Sequence, residues 1–207
     1  MERVGVIGGG QMGAGIAEVA ALAGCDVVVH EVSPEAAEAA RSRIEKSLDR
    51  AVSRGKLDQE AAGSALSRIT FSTDWSDQAD RQIVIEAVTE NEDLKKEIFR
   101  NLDEVVADAD AILASNTSSI PITRLASATS RPDHVVGLHF FNPVPVMGLV
   151  ELVTTPLSDA GVEQRAEEFA RDELGKTVIR AKDRGGFVVN LLLVPYLLGA
   201  IRMYEAG

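Results

Sequence analysis

The chain has 207 residues, enough to bury a substantial core, and its hydrophobic fraction of 45% and charged fraction of 26% are ordinary for a globular protein. The formal net charge of −11 disfavours non-specific binding to nucleic acid or to anionic membranes, so we expect neither as a partner. A single cysteine, Cys25, excludes an internal disulfide, and the N-terminus shows no signal-peptide pattern. Both observations fit a reducing, cytoplasmic location.

Strand and helix patterns alternate along the chain. In chain order, the predicted elements are a strand at 3–7, a helix at 11–23, a strand at 26–30, helices at 34–54 and 58–66, strands at 69–72 and 82–86, a helix at 93–106, a strand at 111–114, a short helix at 120–126, strands at 134–139 and 148–153, a helix at 160–174, an extended segment at 176–180 and a helix from 187. This alternation predicts βαβ units in a doubly wound, mostly parallel α/β sheet.

The segment 187–203 is strongly apolar, but Asn190, Pro195 and Arg202 interrupt it and it is short for a membrane span. It is therefore predicted to be a buried helix. Because a helix that is apolar on most faces needs partners, it either docks on another subunit or begins an all-helical C-terminal domain that this chain lacks. The second interpretation is favoured, which gives an α/β domain at 1–182 and the start of a truncated helical domain at 183–207.

Three glycines form the pattern G-x-G-x-x-G between the first strand and the first helix. Gly8 permits a tight turn, Gly10 lets the backbone approach a pyrophosphate, and Gly13 lets helix and strand pack closely. Gln11 and Met12 open the helix, whose N-terminal N–H groups and partial positive charge favour a phosphate. In this position the motif predicts a dinucleotide site on a Rossmann-like fold.

An acidic residue, Glu31, follows the second strand about 20 residues after the glycines, where a ribose-binding carboxylate is expected. Its carboxylate accepts hydrogen bonds from the ribose hydroxyls and repels the additional phosphate of NADP, so the predicted cofactor is NAD. The alternative is a solvated glutamate at a strand end. His30 and Cys25 are interpreted as structural residues.

His139 ends an apolar strand, at the position where α/β sheets place their ligands. Glu151 lies between valine and leucine in the next strand, where an unpaired carboxylate is costly to bury. The prolines between them allow the chain to return, so we expect Glu151 to hold one ring nitrogen of His139 and leave the other as a base. Such a pair suits the dehydrogenation of an alcohol. Considered alone, His139 is more readily explained as a core histidine with its hydrogen bonds satisfied.

Further polar residues follow neighbouring strands. Ser118 is a candidate to donate to a substrate oxygen, and Asn142 to do the same or to anchor the nicotinamide side, although hydroxyls in this stretch can simply cap a helix. Glu90 and Lys95 are candidate cofactor ligands, with solvated charges at a helix start as the alternative. No metal site is predicted.

Five segments resemble the 3-hydroxyacyl-CoA dehydrogenase family, and within it the bacterial 3-hydroxybutyryl-CoA dehydrogenases: 6–17, 86–90 with Lys95, 114–119, 138–151 and 183–190. They extend over nearly the whole chain, and the run Leu-His-Phe-Phe-Asn-Pro-Val-Pro-Val-Met is highly specific. The resemblance implies reversible, NAD-dependent oxidation of a short-chain (S)-3-hydroxyacyl-CoA to the 3-ketoacyl-CoA, in fatty acid or butanoate metabolism. It also implies an acyl-CoA as substrate and a homodimer formed through the helical C-terminal domain.

The same resemblance assigns roles to individual positions. The catalytic positions are His139 as base, Glu151 as its partner, Ser118 and Asn142. The cofactor-binding positions are Gly8, Gly10, Gln11, Met12, Gly13, Glu31, Glu90, Lys95, Ser118 and Asn142. The substrate-binding positions are Ser118, Asn190, Ser47 and Arg54, of which the last two correspond to contacts with CoA.

Four positions depart from the family pattern. Gly9 replaces a common alanine, which should only loosen the turn, and Glu31 replaces a commoner aspartate with the same function. Gly148 lacks a frequent lysine and Leu191 a frequent arginine, which puts CoA or interdomain contacts in doubt.

Two other functions stay open. One is a dehydrogenase of the same superfamily that acts on a sugar acid or a small hydroxy acid, which a CoA-independent substrate would reveal. The other is a non-catalytic NAD-binding protein. The intact set of His139, Glu151, Ser118 and Asn142 argues against the second of these.

Overall fold

The computed structural model describes residues 1–207 and contains one sheet flanked by helices. The strands are β1 (Arg3–Ile7), β2 (Asp26–His30), β3 (Ile69–Ser72), β4 (Ile83–Glu86), β5 (Ile112–Ser115), β6 (Val135–Phe140), β7 (Leu149–Thr154) and β8 (Thr177–Lys182). The helices are α1 (Gln11–Leu22), α2 (Pro34–Ser53), α3 (Gln59–Ser67), α4 (Glu92–Val105), α5 (Ile122–Ala126), α6 (Ala160–Glu168) and α7 (Val189–Ala206). Every predicted strand and helix is present, with ends that differ by one or two residues in most cases.

The eight strands form a single sheet in the order β3-β2-β1-β4-β5-β6-β7-β8. All neighbouring pairs are parallel except β6 and β7, which are antiparallel. The connection from β6 to β7 contains no crossover helix, so the chain can only turn back on itself there. The predicted Rossmann-like, mostly parallel sheet is confirmed. Its order reverses at β1, between β2 and β4, which is where open α/β sheets bind ligands.

Local sequence explains how the helices around this point begin. Ser33 caps α2 by accepting a hydrogen bond from the backbone N–H of Ala36, and Pro34 occupies the first turn, as predicted. Asn91 caps α4 in the same way through Leu94 N. Each helix therefore starts immediately beyond the carboxyl edge of the sheet.

Two local features differ from the predictions. Residues 75–78 form a short 3-10 helix that the sequence pattern did not indicate, capped by the Asp74 side chain. The predicted helix at 160–174 is α-helical only to Glu168, and a π-helical turn follows at 169–173. Neither feature moves the carboxyl edge of the sheet.

The last helix, α7, is confirmed as a helix, and it is not covered by the rest of this chain. None of its residues is buried, and Leu192, Tyr196 and Met203 are each more than two-thirds exposed. Within residues 1–207 the helix is thus uncovered, and its burial by another subunit or by a helical domain stays a prediction. No helix of the protein combines the length and the apolar character that a membrane crossing requires.

Candidate active site

The turn after β1 is shaped by glycines for two separate physical reasons. Gly8 has a φ of +89°, in the left-handed region that side chains disfavour. A β-carbon on Gly13 would collide with the carbonyl oxygen of Gly8, so only glycine lets α1 approach the strand this closely. The space beside Gly10 is open, which leaves its backbone accessible to a ligand. This is the cradle that a dinucleotide pyrophosphate needs at a helix N-terminus.

Gly9, the position expected only to loosen the turn, has a packing reason of its own. A β-carbon there would collide with the β-carbon of Ala40 on α2. The structure therefore corrects that interpretation, because glycine at this position lets α2 pack against the cradle. Gly9 also donates its backbone N–H to the Glu31 carboxylate, with 2.6 Å between N and Oε1.

Glu31 stands at the mouth of a mostly apolar cavity of about 700 Å³ beside the cradle. Its Oε1 is occupied by Gly9, which leaves Oε2 free to accept from a ribose hydroxyl. Gly8, Gly10, Gln11 and Met12 line the same cavity. The cavity, the cradle and the free carboxylate oxygen fit the adenosine half of NAD.

His30 lies in the wall of this cavity, and its buried Nδ1 has no hydrogen-bond partner within the protein. Its ring is 4% exposed and stacks on Trp75 with 4.1 Å between ring centroids. Burial lowers the pKa of His30, which favours the neutral ring. Cys25 is likewise buried, and its thiol donates to the Met1 carbonyl. Both placements agree with the structural roles predicted for them.

The predicted pairing of a histidine with a carboxylate is confirmed. His139 of β6 and Glu151 of β7 are direct neighbours in the antiparallel register, so their side chains lie on the same face of the sheet. The distance between His139 Nδ1 and Glu151 Oε2 is 2.7 Å. Glu151 is fully buried and His139 is 7% exposed. The ring nitrogen left over for a ligand is Nε2.

The second carboxylate oxygen of Glu151 ties the pair to the last helix. Glu151 Oε1 accepts hydrogen bonds from the backbone N–H groups of Val188 and Val189, each at 2.9 Å. The rings of Phe141 and Phe187 lie 4.6 and 5.6 Å from the His139 ring, centroid to centroid. Both oxygens of this buried carboxylate are therefore satisfied, and the imidazole is held between aromatic rings.

One cavity of about 310 Å³ brings together seven of the site residues predicted from the sequence. Its polar lining consists of Glu90, Lys95, Asn116, Ser118, His139, Asn142 and Asn190, with Met12 of the cradle helix beside them. Asn116 was missed in the sequence, although it stands between Ser115 and Thr117 in the hydroxyl-rich stretch after β5. Its side chain accepts from the backbone N–H of Phe140 and so joins β5 to the end of β6. No three His, Cys, Asp or Glu side chains are placed to hold a metal ion.

Glu90 organises the loop that carries Ser118. Its Oε1 accepts hydrogen bonds from the hydroxyl of Thr117 at 2.5 Å, from the hydroxyl of Ser119 at 2.9 Å and from the backbone N–H of Ser118 at 3.0 Å. Burial alone would raise the pKa of Glu90, but these hydrogen bonds and the charge of Lys95 outweigh it, so the pKa lies below its usual value. Glu90 is thus an ionised anchor for the Ser118 loop.

Lys95 is not a solvated charge either. It is 1% exposed, and its ammonium lies 2.5 Å from Oε1 of Glu86, which is fully buried. Glu86 also accepts from the Ser115 hydroxyl and from Val88 N, each at 2.7 Å. Lys95 therefore completes a buried polar network below the cavity, in addition to lining it.

A basic face of α2 borders a third cavity, of about 510 Å³, on the other side of Asn142. Arg43, Lys46, Ser47 and Arg50 line it, at helical spacings of three and four residues. Of the two positions for which a CoA contact was predicted, Ser47 lines this cavity. Arg54 does not line it, because it is exposed at the C-terminal cap of α2.

The three basic residues of this face were missed in the sequence. The recurrence of basic residues at 43, 46 and 50 along one predicted helix, in a chain with net charge −11, was the available signal.

Comparison with known proteins extends these observations. Residues 3–184 match the family described as 3-hydroxyacyl-CoA dehydrogenase, NAD binding domain. The 3-hydroxybutyryl-CoA dehydrogenase of Mycobacterium tuberculosis is 60% identical over 207 residues, which cover 100% of this chain and 72% of that protein. The crystal structure of M. tuberculosis FadB2 matches with a TM-score of 0.98 and 60% identity, covering 100% of this chain and 73% of that one. Human mitochondrial hydroxyacyl-coenzyme A dehydrogenase is 44% identical over 213 residues, covering 100% of this chain and 67% of that protein.

The likeness is not confined to the nucleotide-binding glycines. The family match runs from the first residue of β1 to just beyond the end of β8, and the relatives align over the whole chain. A match of this extent establishes more than a shared fold. The chain belongs to the 3-hydroxyacyl-CoA dehydrogenase family, and residues 3–184 are its NAD-binding domain.

Proposed function

We propose that this protein catalyses the reversible oxidation of a short-chain (S)-3-hydroxyacyl-CoA, 3-hydroxybutyryl-CoA in particular, to the 3-ketoacyl-CoA. The observation that carries the proposal is the 2.7 Å contact between His139 and the buried Glu151, in a cavity that adjoins the glycine cradle through Met12. A base next to a nicotinamide site is what removal of a hydroxyl proton and a hydride requires.

Each side chain at this site has a separate role in the proposed reaction. With Nδ1–H donated to Glu151, Nε2 of His139 carries the lone pair that takes the hydroxyl proton. The Glu151 carboxylate then stabilises the imidazolium that forms. Ser118 and Asn142 line the same cavity, and we assign to them the role of holding the oxygen that becomes the carbonyl. NAD, when bound, accepts the hydride. Asn190 approaches the same cavity from the start of α7 and is assigned to the substrate side.

The basic face of α2 supports a CoA thioester as the substrate. In an acidic chain, Arg43, Lys46 and Arg50 supply local positive charge for phosphates, and their cavity meets the His139 cavity at Asn142.

We further propose that residues 183–207 begin a helical domain through which two copies associate, since the apolar faces of α7 lie uncovered. A cytoplasmic enzyme of fatty acid or butanoate metabolism fits these features.

The test is NADH-dependent reduction of acetoacetyl-CoA by the full-length protein, followed by the loss of NADH absorbance. Turnover is expected with acetoacetyl-CoA, with kcat/KM decreasing along a series of longer 3-ketoacyl-CoA substrates. Reduction of keto acids without a thioester, combined with no turnover of acetoacetyl-CoA, would contradict the proposal. Tight NADH binding without turnover of either class would instead favour a non-catalytic NAD-binding protein.

Cofactor choice is expected to depend on Glu31. Replacement by alanine removes an acceptor for a ribose hydroxyl, and because hydrogen bonds to charged groups contribute about 1.5–3 kcal/mol, NADH affinity should fall by about tenfold to a hundredfold. NADPH should be affected much less, since its additional phosphate no longer meets a carboxylate. Trp75 lines the cavity and is the single tryptophan, so its fluorescence reports binding. Glu31→Asp, which keeps the charge, is the matched control, and an unchanged NADH-to-NADPH preference in Glu31→Ala contradicts the assignment.

A further inference from the structure

Lys176 is a buried cation that the proposed reaction does not use. It lies just before β8 and is 7% exposed. Its ammonium donates to the backbone carbonyls of Val144 at 2.7 Å and Met147 at 2.9 Å, and no carboxylate lies within ion-pair distance. Burial lowers the pKa of Lys176. Because a buried charge is costly unless its hydrogen bonds are satisfied, this side chain is committed to those two carbonyls.

Both carbonyls belong to the loop at 142–148, which joins the strand of His139 to the strand of Glu151. Most of this loop is exposed, and within it Val146 and Met147 donate their backbone N–H groups to Pro143 O. Val144 is its one buried residue and packs on Gly15 of α1, where a β-carbon would lie 2.9 Å from Val144 Cβ. The two hydrogen bonds from Lys176 to Val144 O and Met147 O, here called the Lys176 clamp, thus attach a loop that is otherwise mostly exposed to solvent.

The 142–148 loop is also the wall between the two cavities described above. Asn142 lines both the cavity of His139 and the cavity of the α2 basic face, and residues 143–145 line the second of these. Because the two cavities share Asn142, a shift of the loop changes the boundary between them. A ligand confined to the His139 cavity meets only Asn142 of this loop, so it is less affected by a shift of residues 143–145.

We infer that Lys176 is a positioning residue for the CoA thioester: by clamping Val144 and Met147, it fixes the wall that a substrate occupying both cavities must pass. The inference rests on the proposed function, in which the acyl group lies at His139 and the CoA phosphates lie at the α2 basic face. It predicts that removing the Lys176 hydrogen bonds lowers kcat/KM more for a long thioester than for a short one, with little effect on NADH binding.

Lys176→Met is the decisive variant, because it keeps the length of the side chain and removes its donors. The kcat/KM for acetoacetyl-CoA is expected to fall by about tenfold to a hundredfold, since a misplaced wall disturbs a substrate that must fit on both sides. The acetoacetyl thioester of N-acetylcysteamine is too short to reach the basic face, so its kcat/KM should fall by no more than about threefold. Hydrogen exchange at the amides of Val146 and Met147 should accelerate.

The controls separate positioning from simple loss of stability. Lys176→Arg keeps the charge and the donors and should restore most of the activity with acetoacetyl-CoA. Lys182→Met removes an exposed lysine from the other end of β8 and should leave both substrates unaffected. Should Lys176→Met fail to fold, Lys176→Gln, which keeps one amide donor, is measured on the same two substrates.

The inference is overturned if Lys176→Met lowers kcat/KM equally for the long and the short thioester, or if hydrogen exchange at the amides of Val146 and Met147 is unchanged. If the unmodified protein reduces neither thioester, the proposed function fails, and the exchange measurement alone then decides whether the clamp exists.

Discussion

Replacing His139 by glutamine is expected to lower kcat for acetoacetyl-CoA reduction by about 10³- to 10⁴-fold while leaving the Kd of NADH unchanged. The reason is that His139 Nε2 is the basic atom of the cavity that faces the ligand once Nδ1 is held by Glu151. Glutamine keeps polarity and approximate size, but it cannot give a proton to the ketone oxygen in the reduction or take one up in the oxidation. The measurement is the single-turnover rate at saturating NADH, together with fluorescence titration of NADH.

Glu151→Gln is expected to lower kcat almost as much, because the hydrogen bonds to the two carboxylate oxygens determine how the glutamine amide is oriented. The backbone N–H groups of Val188 and Val189 both point at Oε1, so the amide oxygen of glutamine must stay there. Its NH₂ group then faces His139 and donates to Nδ1, which forces the ring proton onto Nε2. Because Nδ1 then stays unprotonated, His139 can neither accept a proton at Nε2 in the oxidation nor form the imidazolium that protonates the ketone in the reduction, and a loss of about 10³- to 10⁴-fold in kcat is expected.

The histidine NMR spectrum of ¹⁵N-labelled protein checks this mechanism directly, because the tautomer of His139 should invert in Glu151→Gln. His134→Gln is the matched control: it removes a histidine from the turn before the same strand, where Nδ1 contacts only the Ala111 carbonyl. Its kcat should change by less than about twofold. Activity of His139→Gln within tenfold of the unmodified protein contradicts the assignment of the base.

The sequence was sufficient for the catalytic pair because the information there is local. Glu151 stands among apolar residues in its strand, where an unpaired carboxylate is costly to bury, so the sequence itself predicts a close polar partner. The prolines between them predict the return of the chain. The cradle was predictable for the same reason, since Gly8 and Gly13 act within one strand, turn and helix.

Other parts of the site depend on contacts between distant segments, which no local pattern encodes. Lys176 meets Val144 across 32 residues, and Glu90 reaches Thr117 across 27. Seen in the sequence alone, each is an ordinary charged residue that solvent would satisfy. The apolar pattern of α7 shows that the helix needs a cover but not which surface provides it, and none of its residues is buried in this chain.

Lys95→Met is expected to destabilise the protein by about 3–5 kcal/mol, because it leaves the fully buried Glu86 carboxylate without its cation. For a chain of this size that corresponds to a fall in Tm of roughly 10 °C, measured without cofactor. Replacing both partners, Glu86→Gln with Lys95→Met, should recover most of the loss, since no charge then remains buried and the glutamine oxygen can still accept from Val88 N.

The neighbouring Lys96→Met is the matched control for this stability prediction. Lys96 pairs with Glu92 one turn away at 2.6 Å, but both side chains are partly exposed, so about 0.3–0.5 kcal/mol is expected from its loss. The comparison also separates two roles for Lys95. A residue that serves only to contact NAD would leave the cofactor-free Tm unchanged and reduce only the stabilisation that NADH gives. A residue that holds Glu86 lowers the Tm before any cofactor is added, and the 2.5 Å contact below the cavity requires that result.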